Sequence, residues 1–377
     1  MRPPRIAMLA RTPDWTSAER TLRSLDMEGR VQTRTFPPEI DRLDPVALAD
    51  CDAVVCRPSG RVILQPDHLA AVNKPFFIAT LSSGTNHLDD VKALPDVYII
   101  NSFGGNAAGV AEYTINLAAS LCRKSSLAAG LVDSGRFEHS YVGRITRLEG
   151  KVWLLLGAGH QVQCLLAQAS MFALKKFIIW HPEMNIEKFR ECLSRVPESI
   201  CHFDANNPLS ATLRLPGAST QIIAVPCLKP DLLAKEADIV SVHVPLVRHD
   251  VGKRRRTIGL VGPAFLAEMK PTAFLVNVSR GSIVDENAIA ERLKAKLLAG
   301  YATDVIEAEI RLDPELSPIW SLAITNNRTD PTIRLNLVVS PHIAGVADID
   351  IENVSREVIT ALLRALRVQQ DPVRSIQ

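Results

Sequence analysis

The chain has 377 residues, of which 47% are hydrophobic, 22% charged and only 5% aromatic. That is enough chain for two domains with largely aliphatic cores. A formal net charge of +2 is too small to point to nucleic acid or to an anionic membrane surface as a partner.

The apolar run at the start, within Met1 to Ala10, is too short for a secretory signal. No stretch approaches the roughly 18 consecutive apolar residues of a membrane helix. The seven cysteines are scattered, with no Cys-x-x-Cys pair. They read as reduced core thiols of a cytoplasmic protein, with no disulfide framework and no metal site.

Short apolar runs bounded by turn residues or charges predict strands at Ile6–Leu9, Ala53–Cys56, Phe76–Ala79 and Val97–Ile100. Helix-like segments, Ala18–Leu25 and Pro66–Val72, lie between them. A long helical pattern follows from about Gly109 to Ser134, then an irregular stretch, Gly135–Glu149. A second series of strands is expected at Lys151–Leu156, Lys176–Trp180, Ile239–Val244, Phe274–Val278, Gly300–Asp304 and Asn336–Ser340. Ile349–Val368 reads as a closing helix that returns to the first domain. Strand and helix in alternation imply α/β domains with parallel sheets. Two stretches rich in turn signals, Glu191–Gln221 and Ser317–Arg334, are expected to be surface loops.

The most explicit local motif is Lys151-Val-Trp-Leu-Leu-Leu-Gly157-Ala158-Gly159-His160-Gln161-Val162. It reads as a strand, a glycine turn and a helix start. Gly157 would make the tight turn and Gly159 would let a pyrophosphate approach. The free amides at the helix start, at His160 and Gln161, would attract the phosphates. Val162 stands where a third small residue normally allows close helix–strand packing. At the end of the second strand, His181 stands where an NAD site usually has an acid for the ribose hydroxyls, with Glu183 nearby. NAD is the first choice of cofactor and NADP stays open, because a neutral histidine tolerates a phosphate better than a carboxylate would.

Three later segments carry further signal. They are Phe274-Leu-Val-Asn277-Val-Ser279-Arg280-Gly281, Ala299-Gly300-Tyr301-Ala302-Thr303-Asp304 through Glu309, and Val338-Val339-Ser340-Pro341-His342-Ile343-Ala344-Gly345. Taken alone, Arg280 reads as a salt-bridged surface arginine, Glu309 as a solvated acid among Glu307, Arg311 and Asp313, and His342 as a satisfied core histidine. Taken in order, each just beyond a strand, they point to a site.

With these segments the chain resembles the D-isomer-specific 2-hydroxyacid dehydrogenases. The resemblance runs through Gly84-Thr-Asn86-His-Leu-Asp89, Asn101 to Glu112, the glycine turn, Ala237-Asp238 to Pro245, Met269-Lys270-Pro271 and the three segments above. It implies two doubly wound parallel-sheet domains, a Rossmann cofactor domain inserted in a flavodoxin-like substrate domain. The expected boundaries are 1–112 with 346–377 for the substrate domain and 113–345 for the cofactor domain. It also implies a homodimer, and an NAD-linked hydride transfer between a D-2-hydroxy acid and a 2-keto acid.

By the same resemblance Arg280, Glu309 and His342 form the catalytic trio. A guanidinium can hold the substrate carboxylate and polarise the carbonyl. An imidazole can give and take the proton. A carboxylate can orient that imidazole and favour its charged form. Ser83 and Gly84 are expected to offer amides to the substrate carboxylate, Pro245 to lie near the adenosine, and Val278, Ser279 and Asp304 near the nicotinamide. Asn86 replaces the family's usual aspartate, and Arg248–Arg256, with its Lys253–Arg256 charge run, is longer than the family's loop. Arg57 follows a strand and reads equally as a structural arginine or as the partner of a second substrate anion, as in a 3-phosphoglycerate-like acid. The chain ends soon after the family's core, so no appended regulatory domain is expected. Two other readings stay open: a dinucleotide-sensing, corepressor-like binding protein, and a decayed pseudoenzyme that has lost its cofactor through Val162 and His181.

Overall fold

The computed structural model describes residues 3–9, 14–26, 30–36, 43–44, 46–57, 64–227, 229–250, 255–307, 309 and 313–368. Pro58 and Ser59 beside Arg57, Lys253 and Arg254 of the charge run, and Arg311 lie outside the described residues. The chain divides into two compact units, Met1–Asn106 with Gly345–Gln377, and Ala107–Ala344.

The first unit is built on five parallel strands, β1 (Arg5–Met8), β2 (Gln32–Thr35), β3 (Ala53–Cys56), β4 (Phe76–Thr80) and β5 (Val97–Ile100), in the order β2-β1-β3-β4-β5. This is the flavodoxin-like doubly wound order. The inner strands are buried on both faces, which is why they read as continuous aliphatic runs. On one face lie α1 (Asp14–Leu25) and the returning helix α10 (Asp348–Val368). Val354, Val358, Ile359 and Leu362 of α10 recur at helical spacing and join Ile6, Met8 and Val55 in one core. Glu357 of the same helix accepts from Ser102 Oγ at 2.6 Å and from Phe103 N at 2.8 Å.

The second unit carries α2 (Ala107–Arg123), α3 (Ser125–Asp133), β6 (Val152–Leu156), α4 (His160–Ala169), β7 (Lys176–Trp180), α5 (Ile186–Cys192), β8 (Cys201–Phe203), β9 (Ser210–Leu215), β10 (Ala218–Val225) and α6 (Asp231–Ala234). It continues with β11 (Ile239–Val242), α7 (Pro263–Glu268), β12 (Phe274–Asn277), α8 (Glu286–Lys294), β13 (Gly300–Thr303), α9 (Pro318–Arg328) and β14 (Leu337–Val339). The sheet order is β14-β13-β12-β11-β6-β7-β10-β9-β8. The strands from β14 to β10 are parallel, and β9 and β8 add antiparallel at one edge. The first strand of the unit, β6, lies between β7 and β11, so the order reverses there. In open α/β sheets, ligands bind beyond the carboxyl ends of the strands at that reversal.

Four sequence expectations are corrected. The stretch 191–221 is not a surface loop. It contains β8, β9 and the first half of β10, and Pro216-Gly217 is a hairpin turn, with Gly217 at φ 76°. Ala211, Leu213, Thr220 and Ile222 are buried at alternate positions, the period of a strand. The stretch 317–334 is largely helix α9. Ser317 Oγ caps it by accepting from Trp320 N, Pro318 opens its first turn, and Ile319 is fully buried. The long helix from Gly109 breaks at Lys124, which sits at φ 52° between α2 and α3. Pro66–Val72 is only a short 3₁₀ turn, Pro66–Leu69.

No helix among the described residues is long and apolar enough to cross a membrane. The seven cysteines are free thiols, five of them buried and two half-buried.

Candidate active site

Strand β6 ends in the glycine turn of the second unit. Gly157 has φ 128°, and a Cβ there would stand 2.8 Å from the carbonyl oxygen of His243. Only glycine fits this crossing. Gly157 N donates to Trp180 O at 2.9 Å, continuing the β6–β7 ladder. Gly159 is the N-cap of α4 in an extended conformation, and its Cβ position opens on empty space. The amides of Ala158, Gly159, His160 and Gln161 donate to no acceptor among the described residues. Unpaired amides at a helix start are what a pyrophosphate takes.

His243, at the end of β11, supports this turn from below. It is 9% exposed, and burial lowers its imidazole to about 3. The ring is therefore neutral and needs one donor and one acceptor partner. Trp153 Nε1 donates to Ser241 Oγ at 2.9 Å, and that hydroxyl faces His243 Nε2 at 2.8 Å. With the Ser241 proton given to Nε2, Nδ1–H donates to Gln161 Oε1 at 3.1 Å. A buried chain of bonds thus runs from β6 through β11 to the first turn of α4.

Arg280, Glu309 and His342 come together in the same unit. Arg280 follows β12. Asn277 Nδ2 donates to the Arg280 carbonyl at 3.0 Å, and one guanidinium nitrogen donates to Ser279 O at 2.7 Å. No other acceptor among the described residues takes its remaining N–H groups. Burial lowers its pKa from the ordinary value, and the Glu309 charge opposes that fall. Glu309 Oε1 is hydrogen-bonded to His342 Nδ1. His342 itself has φ 57°, a strained conformation for a residue with a side chain. Asp304 holds it there. Its carboxylate accepts from Ser340 Oγ at 2.6 Å, Ile343 N at 2.9 Å and Ala344 N at 2.8 Å, and its carbonyl accepts from His342 N at 3.0 Å. Burial raises the Asp304 pKa, against the pull of those bonds.

Of the other expected residues of this unit, Val278 and Ser279 are buried, and Ser279 Oγ is turned onto Val244 O at 2.5 Å. Pro245 is exposed, and its carbonyl accepts from Thr257 Oγ1 at 2.7 Å. In the first unit, Ser83 Oγ donates to Asn106 Oδ1 at 2.9 Å and Asn101 Nδ2 donates to Ser83 O at 2.9 Å. The amides of Ser83 and Gly84 donate to no acceptor among the described residues. Arg57 is half-buried just after β3, and burial lowers its guanidinium from the ordinary value.

A family model for the NAD-binding domain of D-isomer-specific 2-hydroxyacid dehydrogenases matches residues 208–344. A glyoxylate reductase of Thermofilum pendens is 25% identical over 317 residues, 83% of this chain and 77% of that protein. A D-3-phosphoglycerate dehydrogenase of Archaeoglobus fulgidus is 25% identical over 353 residues, 92% of this chain but 55% of that protein. The chain thus spans little more than half the length of that relative. The chain is thus similar to the D-isomer-specific 2-hydroxyacid dehydrogenases, by the family model over residues 208–344 and by relatives at 25% identity over most of its length. A solved D-lactate dehydrogenase of Aquifex aeolicus, complexed with NAD and lactic acid, has a TM-score of 0.71 at 16% identity, over 97% of this chain and 96% of that one. At that identity the likeness is one of fold.

From the dinucleotide signature expected of such relatives the chain departs at Val162 and His181. Val162 is fully buried in the core that lines α2 and α4, so the helix start accommodates it. His181 accepts from Glu183 N at 3.1 Å and lies 3.4 Å from Lys188 Nζ.

Sequence reasoning passed over His243 and Glu286. Glu286, at the start of α8, is 3% exposed. It accepts from Glu307 N at 2.9 Å and from Ser317 Oγ at 2.6 Å, so it pins both ends of the segment that carries Glu309. Gly281 packs against the same segment, where a Cβ would fall 2.1 Å from Ile306 C. The partners of Glu286 lie 21 and 31 residues away, beyond the reach of any local pattern.

Proposed function

We propose that this dehydrogenase reduces a small 2-keto acid to a D-2-hydroxy acid, and runs the reverse reaction, with Arg280, Glu309 and His342 as its catalytic residues. The observation that carries the reading is the hydrogen bond between His342 Nδ1 and Glu309, with Arg280 close enough to feel the Glu309 charge. With Nδ1 donating to the carboxylate, Nε2 is the nitrogen free to give its proton to a carbonyl oxygen and to take it back. The free N–H groups of Arg280 form a planar fork suited to the substrate carboxylate and to the carbonyl beside it. The cofactor, when bound, supplies or accepts the hydride. The open amides from Ala158 to Gln161 are suited to its pyrophosphate.

The second unit is accordingly the cofactor domain and the first the substrate domain, where the open amides of Ser83 and Gly84 suit a carboxylate. Arg57 is suited to a second anionic group, which favours a phosphorylated acid such as 3-phosphoglycerate. Homodimerisation and a cytoplasmic location belong to the same proposal.

The test is a panel of 2-keto acids assayed with NADH and NADPH in parallel. His342→Gln should lower kcat by on the order of 10²- to 10⁴-fold while leaving dinucleotide affinity unchanged. Full activity in that variant on an acid that the parent reduces would refute the assignment. Arg57→Ala should raise KM for phosphorylated acids more than for plain ones, and an equal rise would remove the second anion.

A further inference from the structure

In doubly wound dinucleotide sites the second strand ends beside the adenosine ribose. An acidic residue about 20 positions after the glycine turn holds the 2′-hydroxyl, whereas a cation there accommodates a 2′-phosphate. In this chain that position is His181. The residue before it, Trp180, accepts from Gly157 N at 2.9 Å, so His181 follows directly on the ladder that carries the glycine turn.

The hydrogen bonds fix what His181 offers. Glu183 N donates to His181 Nδ1 at 3.1 Å. A backbone N–H can only donate, so Nδ1 is the bare nitrogen and the ring proton sits on Nε2. Burial and the neighbouring Lys188 charge, only partly offset by Glu183, lower the imidazole from its ordinary value, which keeps it in this neutral form. Lys188 Nζ lies 3.4 Å from Nε2. An ammonium has no acceptor, so this contact sets one donor beside another. No carboxylate among the described residues pairs with Lys188.

The backbone of Lys188 is also held in place. Its amide donates to Asn185 Oδ1 at 2.8 Å, the cap of α5, and Cys192 Sγ at the far end of α5 donates to Ala158 O at 3.5 Å, docking that helix on the glycine turn. Two donors side by side, with no acceptor of their own among the described residues, call for an oxyanion. The chemistry expected at this point of a dinucleotide supplies one.

We infer that His181 and Lys188 form the binding site for the 2′-phosphate of NADP(H), and that the chain binds the phosphorylated dinucleotide in preference to NAD(H). The inference rests on the dinucleotide reading above. Exposed Glu183 is the competing group, since its carboxylate offers the grip on ribose hydroxyls that an NAD(H) site uses.

The full chain is titrated with NADPH and NADH, read by nicotinamide fluorescence, and with adenosine 2′,5′-bisphosphate and 5′-AMP, read by calorimetry. The phosphorylated member of each pair should bind more tightly, by on the order of ten- to a hundredfold, as expected for hydrogen bonds to a charged group. Lys188→Gln should weaken NADPH by about tenfold and leave NADH unchanged, and His181→Asp should reverse the preference. NADH binding as tightly as NADPH in the parent would overturn this inference and leave the dinucleotide reading standing. So would an equal loss of both in Lys188→Gln. Binding of neither dinucleotide would overturn the two together.

Discussion

Replacing His243 by asparagine should flatten the acid side of the stability curve of this protein. The folded imidazole lies at about 3 because it is buried, against an ordinary 6.5. The folded value is depressed, so between those limits the unfolded chain binds the proton and the folded chain does not. Stability therefore rises with pH across the window. The group costs nothing above pH 6.5, the loss grows as pH falls, and it is complete near pH 3. At 1.36 kcal/mol for each tenfold step, the full gap amounts to roughly 5 kcal/mol, a ceiling because local opening can release the ring. At about pH 4.5, two steps below the ordinary value, roughly 2.7 kcal/mol is lost. For a unit of this size that lowers Tm by about 5–10 °C.

Asparagine cannot titrate, yet its amide can still donate to Gln161 Oε1. The variant should be less stable than the parent at pH 7.5, by about 1 kcal/mol for the lost bond with Ser241. The difference should shrink or reverse by pH 4.5. Other ionisable groups act equally in both proteins and cancel in the comparison. The assay is urea unfolding followed by tryptophan fluorescence from pH 7.5 to 4.5. A constant difference between the two proteins across that range would show that the ring is not the buried neutral group described above.

Two further predictions concern the turn and the histidine loop. Gly157→Ala sets a Cβ 2.8 Å from a backbone oxygen at φ 128°, so both fold stability and dinucleotide affinity should fall. Gly159→Ala meets nothing within 4 Å, so its Tm should hold while dinucleotide affinity drops, and a matching fall in Tm would contradict the geometry. Asp304→Asn turns its amide N–H groups toward Ile343 N–H or Ala344 N–H whichever way it flips, at a cost of about 1–3 kcal/mol. It should lower kcat by freeing His342 and spare dinucleotide affinity, whereas a direct role at the nicotinamide would weaken the cofactor as well.

Much of this architecture was readable in the sequence, for a physical reason. Strands buried on both faces are continuous aliphatic runs, and Ala53–Cys56, Val97–Ile100 and Lys176–Trp180 fall where the runs do. β2 gives no sequence signal because it is an edge strand exposed throughout, Gln-Thr-Arg-Thr, with no hydrophobic residue. The hairpin of β9 and β10 reads as a loop because Pro216-Gly217 is turn punctuation whether or not strands flank it. Only the alternation of Ala211, Leu213, Thr220 and Ile222 distinguishes the two cases. Helix α9 was hidden in the same way by Asn326-Asn327 and Asp330-Pro331, although Ser317-Pro318 is a helix-start signature.

The trio was legible for a different reason from the groups that hold it. Arg280 and His342 stand just past strands that continuous apolar runs predict, and Glu309 a few residues past another, and the resemblance implies the three in that order. The holding groups are tied by bonds between distant segments. Asp304 reaches Ser340 and Ala344 across 36 and 40 residues, and Glu286 reaches Ser317 across 31. Both are acids that charge patterning alone assigns to solvent, and both are buried. A buried carboxylate is retained only where fixed donors satisfy it. The donors here are the backbone amides and hydroxyls of the segments that carry Glu309 and His342. The burial of these two acids and the positions of Glu309 and His342 are therefore one requirement, and neither can be inferred from sequence without the other.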